Sequence, residues 1–190
     1  MNASPLDDIL TARLVLRLMR GEIIRDCLSG DLERASEKLG VRIPEEFLEH
    51  KRSMESDRRQ LEADAFYQPW STRAIILAGE SSMVGYFRFH TRPDAHYLRK
   101  YAPEGVEIGY CVFTGYRQRG YATEAVEAAM KWAGENFGIY RFVASIATYN
   151  TASLRLIDRL GFEMVGQQVS KLDGVEQVYV LDVERGEEGW

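Results

Sequence analysis

Tyr116-Arg117-Gln118-Arg119-Gly120-Tyr121-Ala122-Thr123-Glu124 is the stretch on which the fold of this chain turns. Ahead of it, Val106-Glu107-Ile108-Gly109-Tyr110-Cys111-Val112-Phe113 is rich in β-branched and aromatic residues and predicts a strand. Behind it, Ala122 to Phe137 is rich in Ala, Glu, Met and Lys and predicts a helix. The quoted stretch is therefore a loop that feeds a helix N-terminus. The first N–H groups of a helix lack intrahelical partners and carry a partial positive charge, which suits a phosphate group. Gly120 lets the backbone approach a ligand closely, and Ala122 is small enough to do nearly the same. Arg117 and Arg119 add charge for a polyphosphate.

The flanking chain supplies the rest of an α/β domain. Leu14-Val15-Leu16-Arg17-Leu18 predicts a strand. From Glu22 to Leu39, Ile23, Ile24, Cys27, Leu28, Leu32, Ala35 and Leu39 recur at helical spacing, with Gly30 as a break and Gly40 as a stop. Pro44-Glu45-Glu46 starts a helix running to about Ala63, charged enough to be expected on the surface. Thr72 to Ala78 and Met83 to His90 predict strands joined by a turn at Glu80-Ser81-Ser82. Thr91 to Gly105 is a polar loop, long for a hairpin connection and so a candidate functional segment. Arg141 to Ala147 predicts another strand, and Asn150 or Thr151 caps a helix that ends at Leu160-Gly161. Phe162 to Val169 and Glu176 to Val183 form a hairpin around Leu172-Asp173-Gly174, followed by a loose tail from Glu184 to Trp190. No linker or repeat divides the chain, so 1–190 reads as a single domain with its core over 11–183. The strands flanking the helix after Gly120 should be parallel, in an otherwise mostly antiparallel mixed sheet of seven strands with helices on both faces.

Composition narrows the function. With 190 residues, 45% of them hydrophobic, the chain can bury an ordinary core. A net charge of −5 argues against general affinity for nucleic acid or an anionic membrane, and it is compatible with a cationic amine substrate. Cys27 and Cys111 lie far apart and match no metal spacing, as expected of reduced thiols in a cytoplasmic protein. His50, His90 and His96 form no metal-ligand spacing either, so no metal is expected. No apolar run reaches membrane-spanning length, and Met1 to Leu10 has acidic but no basic residues, unlike a signal peptide. The absence of G-x-x-x-x-G-K-S/T excludes a P-loop nucleotide site.

Arg117-Gln118-Arg119-Gly120-Tyr121-Ala122 fits the R/Q-x-x-G-x-G/A motif of the GNAT superfamily of N-acetyltransferases. Glu107-Ile108-Gly109-Tyr110 before it, Thr123-Glu124-Ala125 after it, and Asn150-Thr151-Ala152-Ser153 leading to Leu160-Gly161-Phe162 sharpen the match. Together they resemble the RimJ/RimL-like branch, and the resemblance extends weakly to Thr11-Ala12-Arg13-Leu14-Val15-Leu16-Arg17. It implies a single-domain GNAT fold in which the strands at 106–113 and 141–147 splay to admit the pantetheine arm of acetyl-coenzyme A. It further implies that Arg117, Gln118, Arg119, Gly120, Tyr121, Ala122 and Thr123 hold the pyrophosphate, and that Cys111, Val112 and Phe113 border the pantetheine. Asn150 would contact the same arm, and Ser153 would lie near the sulfur and could protonate the departing thiolate.

The implied reaction moves an acetyl group from the thioester to a primary amine, either a protein N-terminus or a small molecule. Such an amine is largely protonated near neutral pH and must first lose a proton. Glu107 is the candidate base, directly or through a water; it reads equally as a carboxylate that only holds the ammonium group or pairs with an Arg. Asn150 also reads as a plain helix cap, and Ser153 as a small first-turn residue. Many GNAT members carry a Tyr seven residues after the Asn; here that position is Ile157, which leaves Ser153, Tyr149 or solvent as the acid. Tyr67, Trp70, Tyr97 and Tyr101 are candidates for an acceptor pocket as well as for core and rim packing. A dimer through the terminal strands is common in the family. The alternative function is a coenzyme A-binding regulatory or degenerate domain without turnover.

Overall fold

The structure is a computed structural model and describes residues 4–170 and 173–184. The chain divides into two compact units, one of residues 1–91 with 110–129 and the other of residues 92–109 with 130–190. Strand β5 (Val106–Val112) and helix α4 (Tyr121–Phe137) each run from one unit into the other.

The first unit holds β1 (Ile9–Leu10), β2 (Leu14–Leu18), β3 (Arg73–Leu77) and β4 (Met83–Phe89), each antiparallel to the next. Helices α1 (Gly21–Ser29) and α2 (Leu32–Leu39) are the predicted helical stretch, broken at Gly30 and stopped at Gly40 as expected. Ile23, Ile24, Cys27, Ala35 and Leu39 enter one core with Phe47, Met54, Ala74, Ile76, Tyr86 and Phe113. The helix expected from Glu45 to Ala63 is split. Pro44 is extended and precedes a 3-10 turn over Glu45–His50, and only Lys51–Ala63 forms α3.

Helix α3 also departs from the expectation of a plain surface helix. Its Asp57 is fully buried and takes donors from four groups. The Tyr67 hydroxyl and Arg88 Nη2 each lie 2.7 Å from Oδ1, and the Thr72 N–H and hydroxyl reach Oδ2 at 2.7 and 2.6 Å. This cluster ties α3 to the residue that leads into β3, to β4 and to the 3-10 turn at Ala65–Trp70. The periodicity of a charged helix does not separate one buried carboxylate from its solvated neighbours, so the residue was invisible in the sequence. Asp57→Ala leaves Arg88 buried without its counter-charge and is expected to cost about 3–5 kcal/mol. Urea denaturation measures this, and a loss under about 1 kcal/mol, the scale of an exposed pair, would show that the pair is not a structural tie.

A bulge in β4 pairs Ile75 with Gly85 but Ile76 with Met83. The carbonyl of the residue passed over, Val84, accepts the Phe113 N–H at 2.9 Å. A Cβ on Gly85 would fall 2.3 Å from the Cys111 carbonyl oxygen, so only glycine permits this approach of β4 to the end of β5.

In the second unit, β5 runs parallel to β6 (Arg141–Ala147), as expected, and β8 (Gly174–Asp182) pairs antiparallel with both β6 and β7 (Glu163–Ser170). The β5–β6 register covers Val106↔Phe142 and Glu107↔Val143. Ile108 and Gly109 have no β6 partner among the described residues, which is the start of the splay that the resemblance implies. The 92–105 segment is an ordered part of this unit: Leu98 and Ala102 pack with Val143, Val178 and Val180, and the Tyr101 hydroxyl donates to the Gln167 carbonyl. Helix α5 (Thr151–Arg159) follows β6.

The fold class is mixed α/β as expected, with eight strands among the described residues instead of seven. The extra strand is β1, whose two residues are too few to show a period. Leu172 of the expected hairpin turn and residues 185–190 of the expected tail lie outside the described residues. No helix among the described residues is long and apolar enough to cross a membrane.

Candidate active site

The loop singled out in the sequence leaves β5 and enters α4 within the first unit. After Phe113 the chain makes a 3-10 turn over Thr114–Tyr116, pinned by Glu46, which accepts the Thr114 N–H and hydroxyl at 2.9 Å each. The Thr114 N–H holds the Glu46 carboxyl below its usual pKa, against a smaller upward push from burial. Arg117 turns back and donates from Nε to the Val112 carbonyl at 3.0 Å. Gln118 and Gly120 then take φ of 61° and 80°, the left-handed turns that swing the chain into the helix. Glu124 N–H donates to the Gly120 carbonyl at 3.1 Å and opens the helical ladder.

Between these points, the N–H groups of Gln118, Arg119, Gly120, Tyr121, Ala122 and Thr123 donate to nothing among the described residues. Gln118, Arg119 and Gly120 are exposed, and the first turn of α4 is half-buried. The loop thus offers open donors at a helix N-terminus with Arg119 beside them, a site matched to phosphate oxygens.

The predicted residues Glu107, Asn150 and Ser153 belong to the second unit. Glu107, near the start of β5, is 3% exposed and accepts a hydrogen bond on Oε2 from the Tyr97 hydroxyl. Tyr97 itself is 41% exposed, so a residue open to solvent reaches a buried carboxylate. Asn150 caps α5, its Oδ1 accepting the Ser153 N–H at 3.2 Å. That bond fixes the side-chain oxygen and leaves the amide NH2 as a donor. Ser153 is half-buried in the first turn of α5. Ile157 is fully buried, a core residue with no proton to give. Tyr149 is exposed and donates to Asp173 at 3.1 Å, which raises its pKa and makes it a weaker acid than an ordinary tyrosine.

A family model described as Acetyltransferase (GNAT) domain matches residues 13–163. The chain belongs to the GNAT family. The expected family and fold are therefore met, and this is a family of acetyl-coenzyme A-dependent acetyltransferases. A curated relative, the uncharacterised N-acetyltransferase YnaD of Bacillus subtilis (strain 168), is 24% identical over 92 residues, 48% of this chain and 49% of its own. The chain thus spans about half the length of the curated relative it matches. A GNAT-family acetyltransferase structure from Bacillus anthracis is similar with a TM-score of 0.59 and 21% identity, covering 92% of this chain and 98% of the other. RimL, a ribosomal L7/L12 α-N-protein acetyltransferase in complex with coenzyme A, is similar with a TM-score of 0.63 and 16% identity, covering 95% and 100%.

Several further candidates of this GNAT chain pack into a core or have their polar groups taken by neighbours. The Phe113 ring lies in the first unit's core beside Phe47 and His50, and its N–H and carbonyl are taken by Val84 and Tyr116. Val112 is buried and its carbonyl is taken by Arg117. Cys111 is half-buried against the same core, and burial pushes its thiol pKa up, which makes it a poor nucleophile. Tyr67 is spent on Asp57, and Trp70 packs edge-on to Phe89 at 5.0 Å. Tyr101 braces the hairpin through Gln167. Of the aromatic candidates, Tyr97 is the one whose hydroxyl meets a predicted catalytic residue. The sequence named Tyr97 and Glu107 separately. Their partnership depends on how a polar loop folds, and no spacing rule encodes that. The described residues contain no His, Cys, Asp or Glu cluster able to hold a metal.

Proposed function

We propose that this protein transfers an acetyl group from acetyl-coenzyme A to a primary amine by direct attack on the thioester. The observation that carries the reading is the run of open N–H donors from Gln118 to Thr123 at the head of α4, inside the GNAT-matched region. In this reading Arg117 to Thr123 hold the pyrophosphate, Asn150 donates to the pantetheine arm, and Cys111 to Phe113 border it with their main chain. Glu107 takes a proton from the acceptor ammonium, directly or through a water, with Tyr97 fixing its carboxylate. The freed nitrogen attacks the carbonyl carbon, and a β5 N–H near Tyr110 to Val112 stabilises the oxyanion. The nitrogen then releases its second proton to solvent as the C–S bond breaks, and the thiolate takes a proton from solvent or from Ser153, which solvent reprotonates. The products are an amide and coenzyme A.

The proposed acceptor is a protein N-terminal amine or a small-molecule amine, and the likeness in fold to RimL is compatible with the first. Acetyl-coenzyme A and that acceptor are the proposed partners, in the cytoplasm, with no role for nucleic acid or membrane. A homodimer through the terminal strands fits the same reading, and 1–190 would act as one N-acetyltransferase domain.

The test is calorimetric binding of acetyl-coenzyme A, followed by thiol release with peptide N-termini and small amines. Micromolar binding with release on one class supports the reading and names the acceptor. Binding without release on any amine would favour a regulatory coenzyme A-binding domain, and no binding would overturn the assignment of the loop.

A further inference from the structure

Beside the loop, the turn between β1 and β2 grips the first turn of α4. Glu124 Oε1 accepts the Thr11 hydroxyl and, at 3.0 Å, the Arg13 N–H. Glu124 Oε2 accepts Arg13 Nε at 2.7 Å and Nη2 at 2.6 Å. Arg13 Nη1 donates to the Arg119 carbonyl at 3.0 Å, and its guanidinium lies 4.9 Å from the Tyr121 ring centroid. Each guanidinium nitrogen of Arg13 therefore has a partner in the loop or helix, which fixes the group beside the loop. Burial of Glu124 raises its proton affinity, but the bonds from Thr11 and Arg13 outweigh that and hold its pKa below the usual range. The group is a full negative charge in the helix turn where an anion is to bind, and alone it would compete for the positive helix end and repel phosphate.

We infer that Arg13 is a positioning residue of the cosubstrate site, which cancels the charge of Glu124 and pins the Arg119 carbonyl so that the head of α4 stays open to a pyrophosphate. The inference rests on the acetyl-coenzyme A reading above. Thr11 and Arg13 lie more than a hundred residues from Glu124 in sequence, at separations of 113 and 111, so no local motif links them.

The test is a double-mutant cycle on acetyl-coenzyme A affinity, read by calorimetry at low salt. Arg13→Ala is expected to raise Kd about tenfold, because an uncompensated carboxylate then faces the pyrophosphate. Glu124→Gln should lower Kd by about threefold, since it leaves the Arg13 charge unopposed. Arg13→Ala combined with Glu124→Gln should return to within about threefold of the parent protein, and high salt should shrink the Arg13→Ala loss. If Arg13→Ala does not fold, Arg13→Gln takes its place, keeping a donor to Glu124 without the charge. Parent-like affinity in Arg13→Ala overturns the inference. So does a double variant as weak as Arg13→Ala, because a purely structural brace would not be rescued by removing its partner's charge. Failure of the unaltered protein to bind acetyl-coenzyme A would instead strike the functional reading itself.

Discussion

Gly120→Glu is expected to abolish acetyl-coenzyme A binding, with affinity falling more than about a hundredfold. Two effects add. Gly120 has φ of 80°, which a side chain rarely adopts, so any substitution strains the turn that aims the loop N–H groups. The new Cβ would also lie 3.3 Å from Arg13 Nη2, so the introduced carboxylate would draw that guanidinium away from Glu124. Negative charge would then stand where the pyrophosphate is proposed to sit. Gly120→Ala separates the effects: it imposes the strain without the charge and should lose only about tenfold. Calorimetry with acetyl-coenzyme A measures both. Unchanged affinity in Gly120→Glu would sink the phosphate-loop assignment.

Glu107→Gln is expected to lower turnover about a hundredfold, the scale of a lost general base, with a much smaller effect on acetyl-coenzyme A affinity. The substitution keeps the shape of the side chain and an oxygen that can accept from Tyr97. What it removes is the ability to take a proton. The acid limb of the rate–pH profile should therefore flatten, because the rate no longer waits on a carboxylate being ionised. The check is thiol release across pH with the best amine acceptor. If both the rate and its pH dependence survive, Glu107 only binds the ammonium group or supports the strand.

Both predictions use residues that were legible in the chain, and the reason is local. The cap at Asn150 and the breaks at Gly30 and Gly40 are set by backbone preferences of single residues, and the structure places each where the sequence put it. Strands β2 to β8 and helices α1, α2, α4 and α5 were likewise readable, because their apolar spacing is regular over several residues. The split at His50 was not. The 3-10 turn ahead of α3 is as charged as the helix that follows, and its Phe47 packs into the core, a tertiary contact that local spacing does not encode.

By itself, the sequence determined the family, the order of elements and the loop that feeds the head of α4, since these depend on motifs a few residues long. The tertiary structure alone decided what holds those parts in place. It buried Asp57 among Tyr67, Thr72 and Arg88, laid Tyr97 on Glu107, and closed Arg13 over Glu124. Each is a hydrogen bond or ion pair between groups on separate elements. Their formation depends on where the chain returns in space, because a charge that looks solvated in sequence becomes a structural tie only when folding removes its water and supplies a partner.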